Sequence, residues 1–191
     1  MQNLDQVTLI DETDRVLGVM DKVEAHRGTG MLHRAISTFL FNEKGELLTQ
    51  KRSEKKIVGA GLWANTCCGN VRPTENYLEC AERRLLEELG INGVVLKETS
   101  IFRYQVQCNA EFSENELDHV FVGKFDGEVK MNPDEVQAVR WVKLDEVQSE
   151  LHKTSEYAPW FVMLMEDEKV SNSLVIGSSG STPKPVSAEK K

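Results

Sequence analysis

The sequence lacks what a secreted, membrane-bound or nucleic-acid-binding chain would need. Its four cysteines form no disulfide framework, since Cys67 and Cys68 are neighbours that seldom bridge each other and only Cys80 and Cys108 remain. Met1-Gln2-Asn3-Leu4-Asp5 starts no signal peptide, and no apolar run approaches the length of a membrane span. There is no internal repeat. Cations are outnumbered, 23 Lys and Arg against 31 Asp and Glu, and a net charge of −8 argues against nucleic acid as a partner. These absences point to a soluble, cytoplasmic protein with reduced thiols and no membrane partner.

What remains is ordinary globular material, 40% hydrophobic and 28% charged, in a chain of 191 residues that can bury a core without staples. Residues 1–170 read as one domain. Ser, Gly, Pro and Lys dominate 171–191, which reads as a disordered tail. Short apolar runs at Val7–Asp11 and Val16–Met20 flank a polar turn and predict a hairpin. Ile36–Phe41 and Glu46–Lys51 predict strands around an Asn42–Gly45 turn, and Val94–Lys97, Ile101–Val106 and Ala138–Val142 predict more. Helices are expected from Leu144 to Leu151 and around Tyr157–Met163, with Pro159 near the start of the second.

The stretch from Trp63 to Ile91 organises the rest. Leu78, Ala81, Leu85 and Leu89 recur as one apolar stripe of a helix that Pro73-Thr74 precedes and Gly90 stops. Cys80, Arg84 and Glu88 stack on another face, with Glu87 beside them. On periodicity alone this is a solvated amphipathic helix with Glu–Arg pairs. Around it, however, Gly69, Glu75, Arg83, Glu87, Glu88 and Gly90 stand at the spacing G-x5-E-x7-R-E-U-x-E-E-x-G-U, where U is aliphatic.

That spacing resembles the Nudix box, a loop–helix–loop that presents carboxylates to a divalent cation carrying a diphosphate. Arg84 stands where the hydrolases of that superfamily have a Glu, and Cys68 directly precedes Gly69. The combination is similar to the type 1 isopentenyl-diphosphate isomerases. The resemblance covers residues 5–167 and implies an α/β Nudix fold, an α+β sandwich with a mixed central sheet flanked by helices. It implies interconversion of isopentenyl and dimethylallyl diphosphate by protonation and deprotonation, with a small-molecule isoprenyl diphosphate as substrate and a monomer or weak dimer as the assembly.

It also assigns roles. Cys68, Glu116 and Tyr104 would be the proton-handling groups, and Trp160 would turn its indole face to a carbocation. An acidic protein needs local cations to hold a diphosphate. Lys22, Arg52, Lys56 and Arg84 would supply them, while Glu88 would hold a Mg²⁺ on the diphosphate. His26 and His33 bracket a glycine turn, and Glu114 and Glu116, two apart on a strand, share a face. With Asn70 these would hold a second divalent ion, Mn²⁺, Zn²⁺ or Mg²⁺. Here the chain departs from the family, which carries His and then Pro after the Cys-Gly pair; this chain has Asn70 and Val71. A neutral amide is a poorer ligand than imidazole for a borderline metal. Two rival readings are a Nudix hydrolase of a nucleoside diphosphate derivative and a non-catalytic diphosphate-binding module.

Overall fold

In the computed structural model, which describes residues 6–179, the expected hairpin is β1 (Gln6–Ile10) against β2 (Val16–Asp21). Asp21 ends that hairpin and caps α1 (Lys22–His26), its carboxylate accepting from Val23 N at 2.9 Å and Glu24 N at 3.3 Å. A single turn of helix thus carries both Lys22 and His26. β3 (His33–Phe41) follows, and Asn42 shapes the next turn by accepting from Lys44 N and Glu46 N. β4 (Leu47–Arg52), β5 (Trp63–Ala64) and β6 (Cys67–Asn70) lead into α2 (Tyr77–Leu89).

The helix α2 starts later than Pro73-Thr74 suggests. Asn76 is the N-cap, and Asn76 with Glu79 forms a reciprocal capping box; Gly90 closes the other end in the left-handed region at φ 66°. Leu78 departs from the expected stripe, being 41% exposed. The face that packs inward is set by Cys80, Ala81, Leu85, Glu88 and Leu89, so the Cys80–Glu88 row is buried rather than solvated.

β7 (Leu96–Gln107) is one long strand with an irregularity between Glu98 and Ser100, not two. It pairs antiparallel with β8 (Ser113–Lys124). β9 (Val136–Val142) pairs with β4, and α3 (Leu144–Glu150), α4 (Pro159–Glu166) and α5 (Glu168–Ser178) complete the described chain. The nine strands form one mixed sheet centred on β3. β3 runs parallel to β8, from His33 opposite Glu116 to Phe41 opposite Lys124, and antiparallel to β6, with Ala35 opposite Asn70.

Strand alternation divides the core into two sides. Ile36 and Phe121 pack with Cys80 and Ala81 of α2, whereas Phe39, Phe41, Val120 and Val122 pack with Trp160, Phe161 and Leu164 of α4 and Leu174 of α5. Glu114, Glu116 and Asp118 share the face of Val120 and Val122, so that face is apolar under the C-terminal helices and acidic beyond them. The order extends past 170, where the sequence places a disordered tail: α5 runs on to Ser178 and buries Val170 and Leu174. A helix rich in Ser is held there by docking of two apolar side chains, not by propensity. The remainder of that tail, 180–191, and Met1–Asp5 lie outside the described residues.

Candidate active site

His26, His33, Glu114 and Glu116 converge, and the ligand atoms of the four lie within 4.8 Å of one another. Local structure explains how. α1 presents His26, β3 begins at His33, and the parallel register sets His33 opposite Glu116. The Gly28–Gly30 turn between the histidines is bound to β8, with Ser113 Oγ donating to Gly28 O at 2.6 Å and Asn115 Nδ2 to Gly30 O at 2.9 Å. Gly30 has φ 73°, and a Cβ there would come within 3.0 Å of Ser113 O, so both the turn and the close approach call for glycine.

The hydrogen bonds orient both rings. His26 Nδ1 donates to Lys22 O at 2.6 Å and His33 Nδ1 to Met31 O at 2.7 Å, which leaves both Nε2 atoms as acceptors in the neutral rings. His26 Nε2 lies 3.0 Å from Glu114 Oε2, and His33 Nε2 lies 3.4 Å from Glu116 Oε1. Lone pairs facing carboxylates in a buried site require a cation between them, a proton or a metal ion. Mixed imidazole and carboxylate donors suit a borderline or hard divalent metal, and the residues fit one. Asn70 Nδ2 donates to both His33 Nε2 and Glu116 Oε1 at 3.0 Å, and rotating the amide would offer Oδ1 at the same place.

The two carboxyls are pushed apart. Burial opposes ionisation of Glu114, but His26 and His33 overcome it and hold Glu114 down to about 2. Burial and the neighbouring Glu114 charge raise Glu116 well above the usual carboxylate range, while Tyr104 donates a short hydrogen bond to its Oε2. Burial also lowers the proton affinity of His33. The two carboxyls thus differ in proton affinity, Glu114 held down and Glu116 raised, as in an acid–base site.

His26, Glu114 and Glu116 of the quartet form one wall of a cleft of about 430 Å³, which Lys22, Arg52, Lys56, Cys68, Arg84 and Trp160 also line. His33 and Glu88 sit behind that lining at 0% and 1% exposure. Lys22 is held down to about 8, first by burial and then by Lys56, Arg84 and Arg52. Arg52 donates to Val58 O and stands 5.0 Å over the Trp160 ring. Gly59, at φ 60°, lets the chain pass this ring: a Cβ there would lie 2.5 Å from Trp160 Cη2. Lys55 points away to an exposed pair with Asp134, so the basic run sends only some of its members to the cleft. Glu88 accepts from Gln50 at 2.8 Å, from Cys67 at 3.3 Å and from Arg84.

The two cysteines separate cleanly. Cys67 is buried against Leu40, Leu48 and Leu85. Cys68 lines the cleft and donates to Asn65 Oδ1 at 3.0 Å. Burial pushes the Cys68 thiol up to about 12, partly offset by Arg52.

Two residues of this region escape the sequence reading. Asp118 is fully buried, accepts from Ser37 Oγ at 2.7 Å, and is raised well above the usual range by burial and then by Glu116. Period two along β8, counted one step beyond Glu116, would have found it. Glu135 lines the cleft and pairs with Lys56 and with Arg84, the latter at 3.1 Å. No motif marks it.

The chain is similar to known proteins. The NUDIX domain family matches residues 31–161. An isopentenyl-diphosphate Delta-isomerase 1 of Aromatoleum aromaticum is 45% identical over 82% of this chain and 88% of its own. An isopentenyl-diphosphate Delta-isomerase of Pectobacterium atrosepticum is 41% identical over 83% and 88%. A solved structure from Deinococcus radiodurans superposes with a TM-score of 0.70 at 19% identity, covering 83% of this chain and 96% of that one, a likeness of fold.

Proposed function

We propose that this chain, which belongs to the isopentenyl-diphosphate Delta-isomerases within the Nudix family, interconverts isopentenyl diphosphate and dimethylallyl diphosphate. The observation that carries the reading is a single cleft with the Glu116 carboxyl and the Cys68 thiol in its wall and Lys22, Arg52, Lys56 and Arg84 beside them.

The reaction adds a proton to the terminal alkene carbon and removes one from the methylene on the other side of the resulting tertiary cation. Glu116, its proton affinity raised by burial and by Glu114 and its Oε2 hydrogen-bonded to Tyr104, is placed to donate the first proton. Cys68 would take the second proton as its thiolate, the form that Arg52 favours against burial, and Asn65 accepts from the thiol once it is protonated. Trp160, buried and lining the cleft, gives the cation an aromatic wall. Lys22, Arg52, Lys56 and Arg84 neutralise the diphosphate, Arg in bidentate fashion and Lys as a point charge. His26, His33, Glu114 and Glu116, with Asn70 as a weak fifth donor, hold a divalent ion, Mn²⁺, Zn²⁺ or Mg²⁺. A Mg²⁺ on the diphosphate would be the ion for Glu88, whose carboxylate Arg84, Gln50 and Cys67 hold in this structure. Such an ion supplies positive charge that favours release of protons from its neighbours.

No described helix is long and apolar enough to cross a membrane. The free thiols and acidic surface suit a cytoplasmic monomer or weak dimer without nucleic-acid partners. Arg84 in a carboxylate position weighs against a hydrolase.

Proton NMR of isopentenyl diphosphate with Mg²⁺ in D₂O, with phosphate release followed in parallel, tests the reading. Deuterated dimethylallyl diphosphate without phosphate is the expected product. Phosphate release would favour the hydrolase, and unchanged substrate the non-catalytic module.

A further inference from the structure

Two of the cations that the proposed function assigns to the diphosphate, Lys56 and Arg84, already have anions. Lys56 pairs with Glu135, and its Nζ lies 3.8 Å from Glu88 Oε1. Arg84 pairs with Glu88, with Glu87 at 2.8 Å and with Glu135 at 3.1 Å. Glu88 is enclosed, its carboxylate shared among Arg84, Gln50 and Cys67. Glu135 differs. Its side chain is 26% exposed, it lines the cleft, and the same oxygen, Oε2, meets both Lys56 and Arg84. Its backbone is fixed independently, with Ser53 N donating to Glu135 O at 3.0 Å and Glu135 N to Asn132 O at 3.0 Å. The loop is tied to the end of α2 by Asn132 N donating to Glu88 O at 2.9 Å. The carboxylate is therefore presented on a rigid support to two cations of the cradle.

We propose that Glu135 is the internal counter-anion of the diphosphate cradle, holding Lys56 and Arg84 in the place of a phosphate and making diphosphate binding depend on a divalent cation. The inference rests on the diphosphate reading of the cleft. Without a divalent cation, an incoming phosphate must share Lys56 and Arg84 with a fixed negative charge only a few ångströms away, and like charges at that range oppose each other strongly in a partly buried site. A divalent cation brought with the diphosphate gives the carboxylate a new partner and releases both side chains to the phosphate. Glu135 thus acts as a positioning residue through Lys56 and Arg84, and it selects the metal-complexed diphosphate over the free anion.

The test is calorimetric titration of inorganic pyrophosphate into wild type, E135Q and D134N, each with and without Mg²⁺. Asp134 is the neighbouring acid in the exposed Lys55 pair, so D134N removes the same charge outside the cradle. Wild type should bind weakly without Mg²⁺ and gain at least tenfold when it is added. E135Q should bind metal-free pyrophosphate about tenfold more tightly than wild type and gain correspondingly less from Mg²⁺, the size expected for one nearby charge, while D134N behaves as wild type. E135Q binding no tighter than wild type without Mg²⁺, or D134N showing an equal gain, would overturn the inference and leave the diphosphate reading intact. If wild type binds no pyrophosphate under either condition, the diphosphate reading falls and the inference with it. The melting temperature of each variant separates loss of fold from loss of binding.

Discussion

Cys67 and Cys68 sit side by side on β6, and the alternation of the strand sends their thiols to different surroundings. Cys68→Ala should abolish isomerisation while the melting temperature moves by no more than a few degrees. Cys67→Ala should keep turnover and lose about 1 kcal/mol of stability, as a small buried group removed from the core would; steady-state assays and urea melts on both variants check the pair. Lys22 provides a pH prediction. Its folded proton affinity, about 8, lies below the unfolded 10.5, so between those values the unfolded chain holds more protons and this group makes stability rise with pH. Thermal melts from pH 7 to 10.5 should show that rise in wild type and less of it in Lys22→Met. Pyrophosphate affinity should fall in the same range as the ammonium discharges. At this scale the sequence was most informative where a motif fixed the spacing. His26, His33, Glu114 and Glu116 were legible as a group, as was the choice of Cys68 over Cys67. Asp118 was within reach of the period-two pattern of β8, whereas Glu135 was not legible, because it becomes meaningful only through Lys56 on a distant loop and Arg84 on α2.

Among the elements, α2 shows how a correct helix can carry a misassigned face. The apolar residues Leu78 and Leu86 are exposed, while Cys80 and Glu88 turn inward, because the helix packs on β6 and the cradle as well as on the core. Hydrophobic periodicity cannot register a buried carboxylate that is fully hydrogen-bonded. The helix α5 is the converse case. Its composition reads as tail, yet Leu174 is 1% exposed among Phe41, Val122 and Phe161. Leu174→Ala should cost about 2–5 kcal/mol in chemical denaturation, an effect no disordered tail would show. Gly59 is the third element-level lever. Gly59→Ala meets both an unfavourable φ and the Trp160 ring, so it should depress turnover more than melting temperature, and Trp fluorescence should report the displaced indole.

For the whole molecule, the divalent ion proposed for the His/Glu quartet would be part of the folded state. Dialysis against a chelator should lower the melting temperature, and Mn²⁺ or Zn²⁺ at about a hundred times its Kd should restore roughly 2.7 kcal/mol. His33→Ala should remove most of that gain. The quartet also has a temporal side. His33 and Glu116 are brought together by a parallel pairing between strands separated by the whole of α2 and β7. A chain still emerging from the ribosome offers its two histidines long before either carboxylate exists. Capture of the ion is therefore reserved for the finished sheet, and a chain truncated within β7 should retain no more metal than a peptide carrying two histidines.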